Sequence, residues 1–257
     1  MFRKYMVLLR MKYVEMFAYQ LATIVWVVGA MIQPLITMIV WMNIYPQESD
    51  SFVLYFTLLI LVERMTSAWD VWELDREIRE GTFSYHIVRP MHPIHWAIAE
   101  NIIYKGLFLA VLLPIWIIVA FFVPALQPHM DWAQWGMFVV AILLGAAIRF
   151  LFSYTCGLLG FWVTKVSAIY GVFEAVSLFF SGRIAPLSLL PPVMQEISLY
   201  LPFRYMIGFP VEIATGAVTG EAVGFGFLGS AVWVSLLLMV LGLLWRAGLK
   251  KNQAVGG

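Results

Sequence analysis

Residues 73–90 read ELDREIREGTFSYHIVRP and concentrate charge between two long apolar runs. The chain as a whole is strongly apolar: 62% of its 257 residues are hydrophobic, only 12% are charged, and the mean hydropathy is +0.87. A soluble domain needs a charged surface without large apolar patches, and this composition does not supply one. We therefore expect an integral membrane protein whose charged stretch lies outside the bilayer.

Apolar runs of membrane-spanning length recur along the chain. A spanning helix needs about 20 predominantly apolar residues. We therefore predict an all-α, polytopic membrane protein in which residues 1–257 form a single transmembrane domain with six transmembrane helices. The six predicted segments are 21–44, 52–69, 101–123, 135–162, 166–182 and 227–246.

The distribution of Lys and Arg predicts the orientation of these helices, because cytoplasmic loops carry an excess of both residues. Twelve of them fall on one side of the predicted membrane, whereas the connections on the other side contain only Arg183 and Arg204, both within 183–226. We therefore expect a multi-pass protein with both termini in the cytoplasm.

Two further segments are apolar without being regular spans. Residues 1–20 place apolar and cationic side chains on different faces of a helix, which predicts an interfacial helix at the cytoplasmic surface. A plain extension of the first membrane helix is the alternative. Residues 183–226 are too apolar for a solvated loop and contain five prolines. We expect one or two short re-entrant helices there, in the outer leaflet.

The charged stretch itself has a helical pattern. Val71, Leu74 and Ile78 recur on one face of a helix that extends the second predicted span. Gly81 follows as a stop signal, because glycine readily adopts the left-handed conformation found after a last helical turn.

Aromatic and aliphatic side chains follow this stop. Phe83, Tyr85 and Ile87 lie in a short segment that we expect to be exposed beyond the membrane, where a soluble partner would bind them. A solvated hairpin that only connects two helices is the alternative.

Three short motifs carry a resemblance to a known family. The run REGT at 79–82, with Pro90 downstream, resembles the cytoplasmic coupling segment of the type-two exporter class of ATP-binding-cassette permeases. The runs SGRIAPLSLLP at 181–191 and LPFRY at 201–205 resemble the fifth-helix exit and the outer re-entrant helices of that family. The chain is most similar to a bacterial subgroup that includes viologen and drug exporters.

The resemblance implies partners and a location. Two permease chains, identical or paralogous, would assemble in the bacterial cytoplasmic (inner) membrane, each above an ATP-binding-cassette ATPase subunit. The cytoplasmic coupling segment, 70–95, would bind in a groove on that ATPase. The residues implied in coupling are Glu80, Gly81, Thr82, Phe83, Tyr85, His86, Ile87 and Arg89.

The sequence does not predict a nucleotide-binding or metal-binding site in this chain. It lacks the G-x-x-x-x-G-K-[ST] loop that binds nucleotide phosphates, so ATP and Mg²⁺ are expected on the partner ATPase, and we expect no catalytic residue and no cofactor in this chain. His92 and His95 do not predict a metal site, because Pro90 and Pro93 break the helical spacing that would aim both imidazoles together. The net charge of +1 does not favour binding of nucleic acid.

Charged residues inside predicted spans are costly and therefore informative. Arg149 and Glu174 fall near the middle of the fourth and fifth segments, where we expect them at similar depth and able to pair. A structural ion pair, a contact to cargo or a gate, and no pairing are the three interpretations. Glu63 and Arg64 lie toward the cytoplasmic end of the second segment, where we expect them to reach the headgroups and serve the scaffold.

Polar and aromatic residues in the first, second and fifth segments are candidates for a translocation pathway, which the resemblance places between two permease chains. An aromatic pathway with few charges suits a hydrophobic or amphiphilic cargo. The rival functions are an ion-coupled secondary transporter that uses Arg149 and Glu174, and a lipid-modifying membrane enzyme. The pathway candidates are Gln33, Thr37, Tyr55, Tyr170, Phe173 and Ser177.

Overall fold

The computed structural model describes residues 2–18 and 20–251. Met1 and Tyr19 of the predicted interfacial helix, and residues 252–257 of the predicted domain, lie outside the described residues. Within the described ranges all regular structure is helical, which confirms the all-α prediction. The α-helices are α1 (Phe2–Ala18), α2 (Gln20–Ile44), α3 (Ser49–Thr66), α4 (Asp70–Arg79), α5 (Phe83–Ile87), α6 (Ile94–Phe122), α7 (Trp132–Leu158), α8 (Val166–Phe180), α9 (Pro192–Tyr200), α10 (Phe209–Ala214) and α11 (Glu221–Lys251).

Four helical stretches of the described residues are long and apolar enough to cross a membrane. They correspond to the second, third, fourth and sixth predicted segments, and they support a multi-pass membrane protein. The second extends into the charged stretch, as the helical pattern of Val71, Leu74 and Ile78 predicted, and a short break after Thr66 separates its two parts, α3 and α4. The four stretches are Pro46–Arg79, Ile94–Phe122, Trp132–Phe161 and Glu221–Lys251.

The first predicted segment, 21–44, corresponds to α2, and the fifth corresponds to the shorter apolar helix Val166–Phe180. α8 has 15 residues and is therefore about 22 Å long, less than the roughly 30 Å of a bilayer's hydrocarbon core. The total of six spans stays a prediction.

The chain divides into two compact units. The first contains the residues up to Phe56 together with His86–Gln127, and the second contains Thr57–Tyr85 together with the residues from Pro128 onward. That residues 1–257 form a single domain stays a prediction.

In the first unit, polar contacts attach α1 to the start of α6. Tyr5 Oη lies 2.8 Å from His95 Nδ1, and Lys12 Nζ lies 2.8 Å from Glu100 Oε2. Burial alone would lower the pKa of Lys12, but its hydrogen bonds and ion pairs with Glu100 and Glu15 raise that pKa above its ordinary value. α1 therefore has a protein partner on one side, whereas its place at the membrane interface stays a prediction.

In the second unit, α7 is the central helix, and α4, α8, α10 and α11 all pack against it. It begins at a capping box in which Asp131 Oδ1 accepts from the Gln134 backbone N–H at 2.7 Å and Gln134 Oε1 accepts from the Asp131 backbone N–H at 3.0 Å. From Ile148 to Leu158 nearly every residue is buried. The C-terminal half of α7 is thus the core of this unit.

The contact between α4 and α7 is close because a glycine lies at it. A Cβ atom on Gly157 would lie 2.9 Å from Leu74 Cβ and 3.2 Å from Val71 Cα. The backbone N–H of Val71 donates to Ser153 Oγ at 3.0 Å, which satisfies an otherwise unpaired donor near the start of α4. α4 is therefore attached to the core helix by both packing and hydrogen bonding.

The connection 183–226 is folded rather than a loop. It contains α9, a π-helical turn at Arg204–Gly208 and α10, and residues 202–211 are buried. Arg204 Nη2 donates to Glu212 Oε2 at 2.6 Å, so the guanidinium of Arg204 lies inside the fold, where Glu212 neutralises it. The short helices were expected, and their re-entrant depth stays a prediction.

We predict that Gly157→Ala destabilises the chain, whereas Gly136→Ala in the same helix does not. Both changes gain the same helix propensity, but a Cβ at Gly136 meets nothing within 4 Å, and one at Gly157 overpacks the α4 contact. Overpacking of this kind costs about 1–3 kcal/mol. Denaturant unfolding of both purified variants in detergent measures the difference, and equal stabilities would contradict the close contact.

Candidate functional site

The end of α4 shows how the charged stretch terminates. The Glu80 backbone N–H donates to the Arg76 carbonyl at 2.9 Å, and Gly81 follows with φ +75°. This is the left-handed conformation that the sequence predicted for Gly81, and residues with a Cβ rarely adopt it. Thr82 Oγ1 then donates to the Glu77 carbonyl at 3.3 Å, so a side chain satisfies one of the last carbonyls of α4.

Phe83 is an anchor and not an exposed residue. Its side chain is 0% exposed, and its ring lies edge-on to those of Phe161 and Trp245 at centroid distances of 5.6 and 5.9 Å. The expectation that Phe83 is exposed is therefore wrong. The reason is tertiary: the 3-10 turn that follows α7 and the last part of α11 together supply an aromatic pocket that local sequence does not reveal.

The remaining candidates for coupling are exposed or half-buried. Tyr85 is 68% exposed, and Glu80 is also exposed. In the first unit, Ile87 is half-buried, the ring of His86 lies edge-on to Trp96 at 6.0 Å, and the guanidinium of Arg89 lies 4.7 Å from the centroid of the same indole. Binding of these residues to an ATPase stays a prediction.

A chain of ion pairs lies inside the second unit. Arg149 Nη2 donates to Glu174 Oε1 at 3.1 Å, and Arg183 Nη1 donates to Glu174 Oε2, also at 3.1 Å. Arg183 Nη2 also lies 2.7 Å from Glu63 Oε1, which is 3.6 Å from Arg64 Nη2. Glu174 and Arg183 therefore each pair with two residues of the opposite charge. This chain of ion pairs connects α3, α7 and the residues on both sides of the end of α8.

One expectation about these charges is wrong. The side chain of Glu63 is 2% exposed and lies 2.7 Å from Arg183, so it is inside the fold and does not extend toward the surface. Arg183, in the connection after α8, also lies inside the fold and pairs with both Glu63 and Glu174. Local sequence reveals neither pairing.

The pathway candidates on α8 face the interior of the second unit. Tyr170, Phe173 and Ser177 share the helical face of Val166, and all are at most 8% exposed. The open face of α8 carries other residues. These are Ile169, Val172, Val176 and Phe179.

The other pathway candidates lie in the first unit. Tyr55 is buried, Gln33 is exposed, and Thr37 is half-buried with its hydroxyl donating to the Gln33 carbonyl at 2.9 Å. A role in translocation stays a prediction for all six candidates.

The histidines contact protein groups. His92 Nδ1 accepts from the Ile94 backbone N–H at 3.2 Å, and His95 is the histidine that contacts Tyr5. Burial and the charge of His95 both lower the pKa of His92. In the part of the chain that the structure describes, no group of three or more His, Cys, Asp or Glu side chains is arranged to hold a metal ion.

Comparison with protein-family models identifies the kind of protein to which the chain is similar. A family model described as "ABC-2 family transporter protein" matches residues 42–256, which is more than half of the chain. This match confirms the resemblance to type-two ATP-binding-cassette permeases, and the bacterial subgroup stays a prediction. No curated protein matches the chain.

We predict that Glu63→Gln destabilises the chain by about 3–5 kcal/mol, because it leaves the buried Arg183 with only one carboxylate. The matched control is Glu73→Gln, which removes an exposed pair with Arg76 and should cost at most about 1 kcal/mol. Unfolding in detergent measures both.

A double variant tests whether the cost comes from the excess positive charge left around Arg183. Glu63→Gln combined with Arg183→Gln should recover part of the lost stability, because the second change removes the excess buried positive charge and leaves Glu174 paired with Arg149. Additive losses in the double variant would contradict the ion-pair chain.

Proposed function

The chain belongs to the ABC-2 transporter family, whose members are membrane transport components and not catalytic ATPases, and we propose that it is the permease subunit of an exporter. In this proposal it forms a translocation pathway with a second permease chain. Separate ATPase subunits bind ATP and Mg²⁺ and supply the energy. The chain itself acts by alternating access and carries no catalytic residue.

The main observation in support of the proposal is the burial pattern of the segment after α4. Phe83 is fully buried, whereas Tyr85, two residues later, is 68% exposed. A segment that only connects two helices needs no aromatic anchor. An exposed tyrosine beside a buried anchor is instead typical of a docking surface, because a rigid aromatic contact loses little conformational entropy on binding.

The contacts of this segment support transmission of force. Movement at Tyr85 acts on α7 and α11 through Phe83, and on α7 again through α4, which contacts Gly157 and Ser153. Packed elements of this kind move as rigid bodies, since close-packed interiors deform little. Closure of a pair of ATPase subunits would therefore displace the whole second unit.

Charge placement supports an orientation in which both termini lie on the cytoplasmic side of a bacterial inner membrane. The two cations assigned to the outer side, Arg183 and Arg204, are both inside the fold and paired with Glu63 and Glu212. The bias of exposed Lys and Arg toward the other side is therefore stronger than counting along the sequence suggests.

The open face of α8 supports an apolar cargo route. Val172 and Phe179 are 66% and 50% exposed, and the partly exposed charge nearby, Glu174, is neutralised by two arginines. Together with a second permease chain, this face would form an apolar lining, which suits hydrophobic or amphiphilic molecules.

A secondary transporter is the second candidate, because carboxylates deep in the membrane are typical of proton and ion coupling. Both carboxylates here, Glu63 and Glu174, are engaged by arginines, which favours a structural role. Transport by the purified chain alone under an ion gradient would establish the second candidate and refute the first.

We predict that Tyr85→Asp removes the ATPase that copurifies with the chain from its own membranes. Loss of a central aromatic contact costs about 2 kcal/mol or more, which is roughly thirtyfold in affinity. Tyr200→Asp is the matched control, since Tyr200 is a similarly exposed tyrosine, at 79%, on α9. Equal retention of ATPase by wild type and the Tyr85 variant would contradict docking at this segment.

We predict that Gly81→Val weakens ATP-driven transport more than it weakens assembly, because valine in the left-handed conformation carries about 1–3 kcal/mol of strain. Gly81→Asn is the control, since asparagine tolerates that conformation. Transport assays in vesicles and recovery of the complex separate the two effects. Unimpaired transport by Gly81→Val would show that this turn is not part of the coupling.

A further inference from the structure

The last helix, α11, has two opposite faces. Its buried face consists of Val223, Gly226, Ser230, Leu237, Leu241 and Gly248. Its opposite face is an exposed apolar stripe at spacings of three and four residues, which keeps the side chains in one line along a helix. The stripe consists of Phe225, Leu228, Val232, Leu236, Met239 and Leu243, which are 39–69% exposed.

Two cations continue this stripe at its C-terminal end. Arg246 follows Leu243 by three residues and Lys250 follows Arg246 by four, so both lie on the same face and opposite the buried Gly248. Both side chains are exposed, and the structure gives neither an ion pair within residues 2–18 and 20–251. The open face of α11 is therefore apolar along its length and positively charged at one end.

Distances along the helix match one leaflet of a bilayer. Half of a hydrocarbon core is about 15 Å thick, which corresponds to about ten residues of helix. Ten residues counted back from Leu243 reach beyond Leu236. Arg246 begins one turn past Leu243, at headgroup depth, and long cationic side chains reach the phosphates there. Because Arg246 and Lys250 have no ion pair within the described residues, they favour lipids of net negative charge.

We propose that this face is a binding site for an anionic phospholipid. The phosphate lies between Arg246 and Lys250, and the acyl chains lie along Leu236, Met239 and Leu243. The site is independent of the direction of transport and of the coupling segment, so it stands whether or not the chain is an exporter.

A second copy of the chain fits this face poorly. In a pair of chains related by a twofold axis along the membrane normal, identical faces meet, so an interface along the stripe would bring Arg246 and Lys250 against their own copies. Uncompensated like charges at an interface are repulsive. The charge pattern thus complements a lipid headgroup and not another α11.

Binding of defined lipids to the delipidated full chain in detergent tests the proposal. The probes are phosphatidylglycerol and phosphatidylcholine with the same acyl chains, and native mass spectrometry measures the bound fraction of each. We expect phosphatidylglycerol to bind more tightly, and Arg246→Gln and Lys250→Gln each to weaken it about fivefold, as expected for one interfacial cation. The double variant should lose the preference for phosphatidylglycerol.

Lys165→Gln is the matched control, because it removes an exposed cation that lies outside the stripe, in the turn between α7 and α8. It should leave binding unchanged. An equal loss in this control, or no preference for phosphatidylglycerol in the wild type, would overturn the proposal. Added salt gives a test without substitutions, since it should weaken binding of phosphatidylglycerol and not of phosphatidylcholine.

Cysteine cross-linking in membranes tests for protein at the same face. Met239→Cys should not form a disulfide between copies, and the native Cys156 is buried and does not interfere. An efficient cross-link between copies would show that a second chain covers the stripe, and would overturn the lipid site.

Discussion

Pairing of charges in the interior of the second unit is the constraint on which its arrangement depends. A charged side chain removed from water is stable only beside an opposite charge, so the positions of Glu63, Arg149, Glu174 and Arg183 are not independent. Their ion pairs fix α3 and α7 relative to the end of α8. The same pairing draws Arg183 inward and thereby sets where the chain leaves α8 and enters the folded connection toward α9.

Attachment of α4 to this core fixes the position of the segment that follows α4. Because Gly157 lacks a side chain, α4 approaches α7 closely, and Phe83 then fixes the chain after Gly81 to the ends of α7 and α11. The exposed Tyr85 is therefore held by a buried neighbour. A surface held in this way transmits displacement, whereas a solvated hairpin of the same length would absorb it.

Local signals predicted part of the site. The stop at Gly81 followed from a helical pattern that ends at a glycine, and Arg149 and Glu174, expected at similar depth, do lie in contact. The buried state of Phe83 and the pairing of Glu63 with Arg183 were not predicted. Both depend on residues far away in sequence, and no periodicity within α4 or α8 contains information about the aromatic pocket or the opposite charge.

The sequence by itself determined the helical class, the membrane as solvent and the stretches that are apolar enough to enter it, because these follow from composition and from spacing within single segments. The tertiary structure decided the depth and direction of individual side chains. Depth depends on where a helix begins and ends, and α8 has only 15 residues whereas a short break after Thr66 separates α3 from α4. Direction depends on which face meets a neighbour, and for Tyr170 and Phe173 that neighbour comes from elsewhere in the chain. Packing between distant segments, and not local pattern, fixes both quantities.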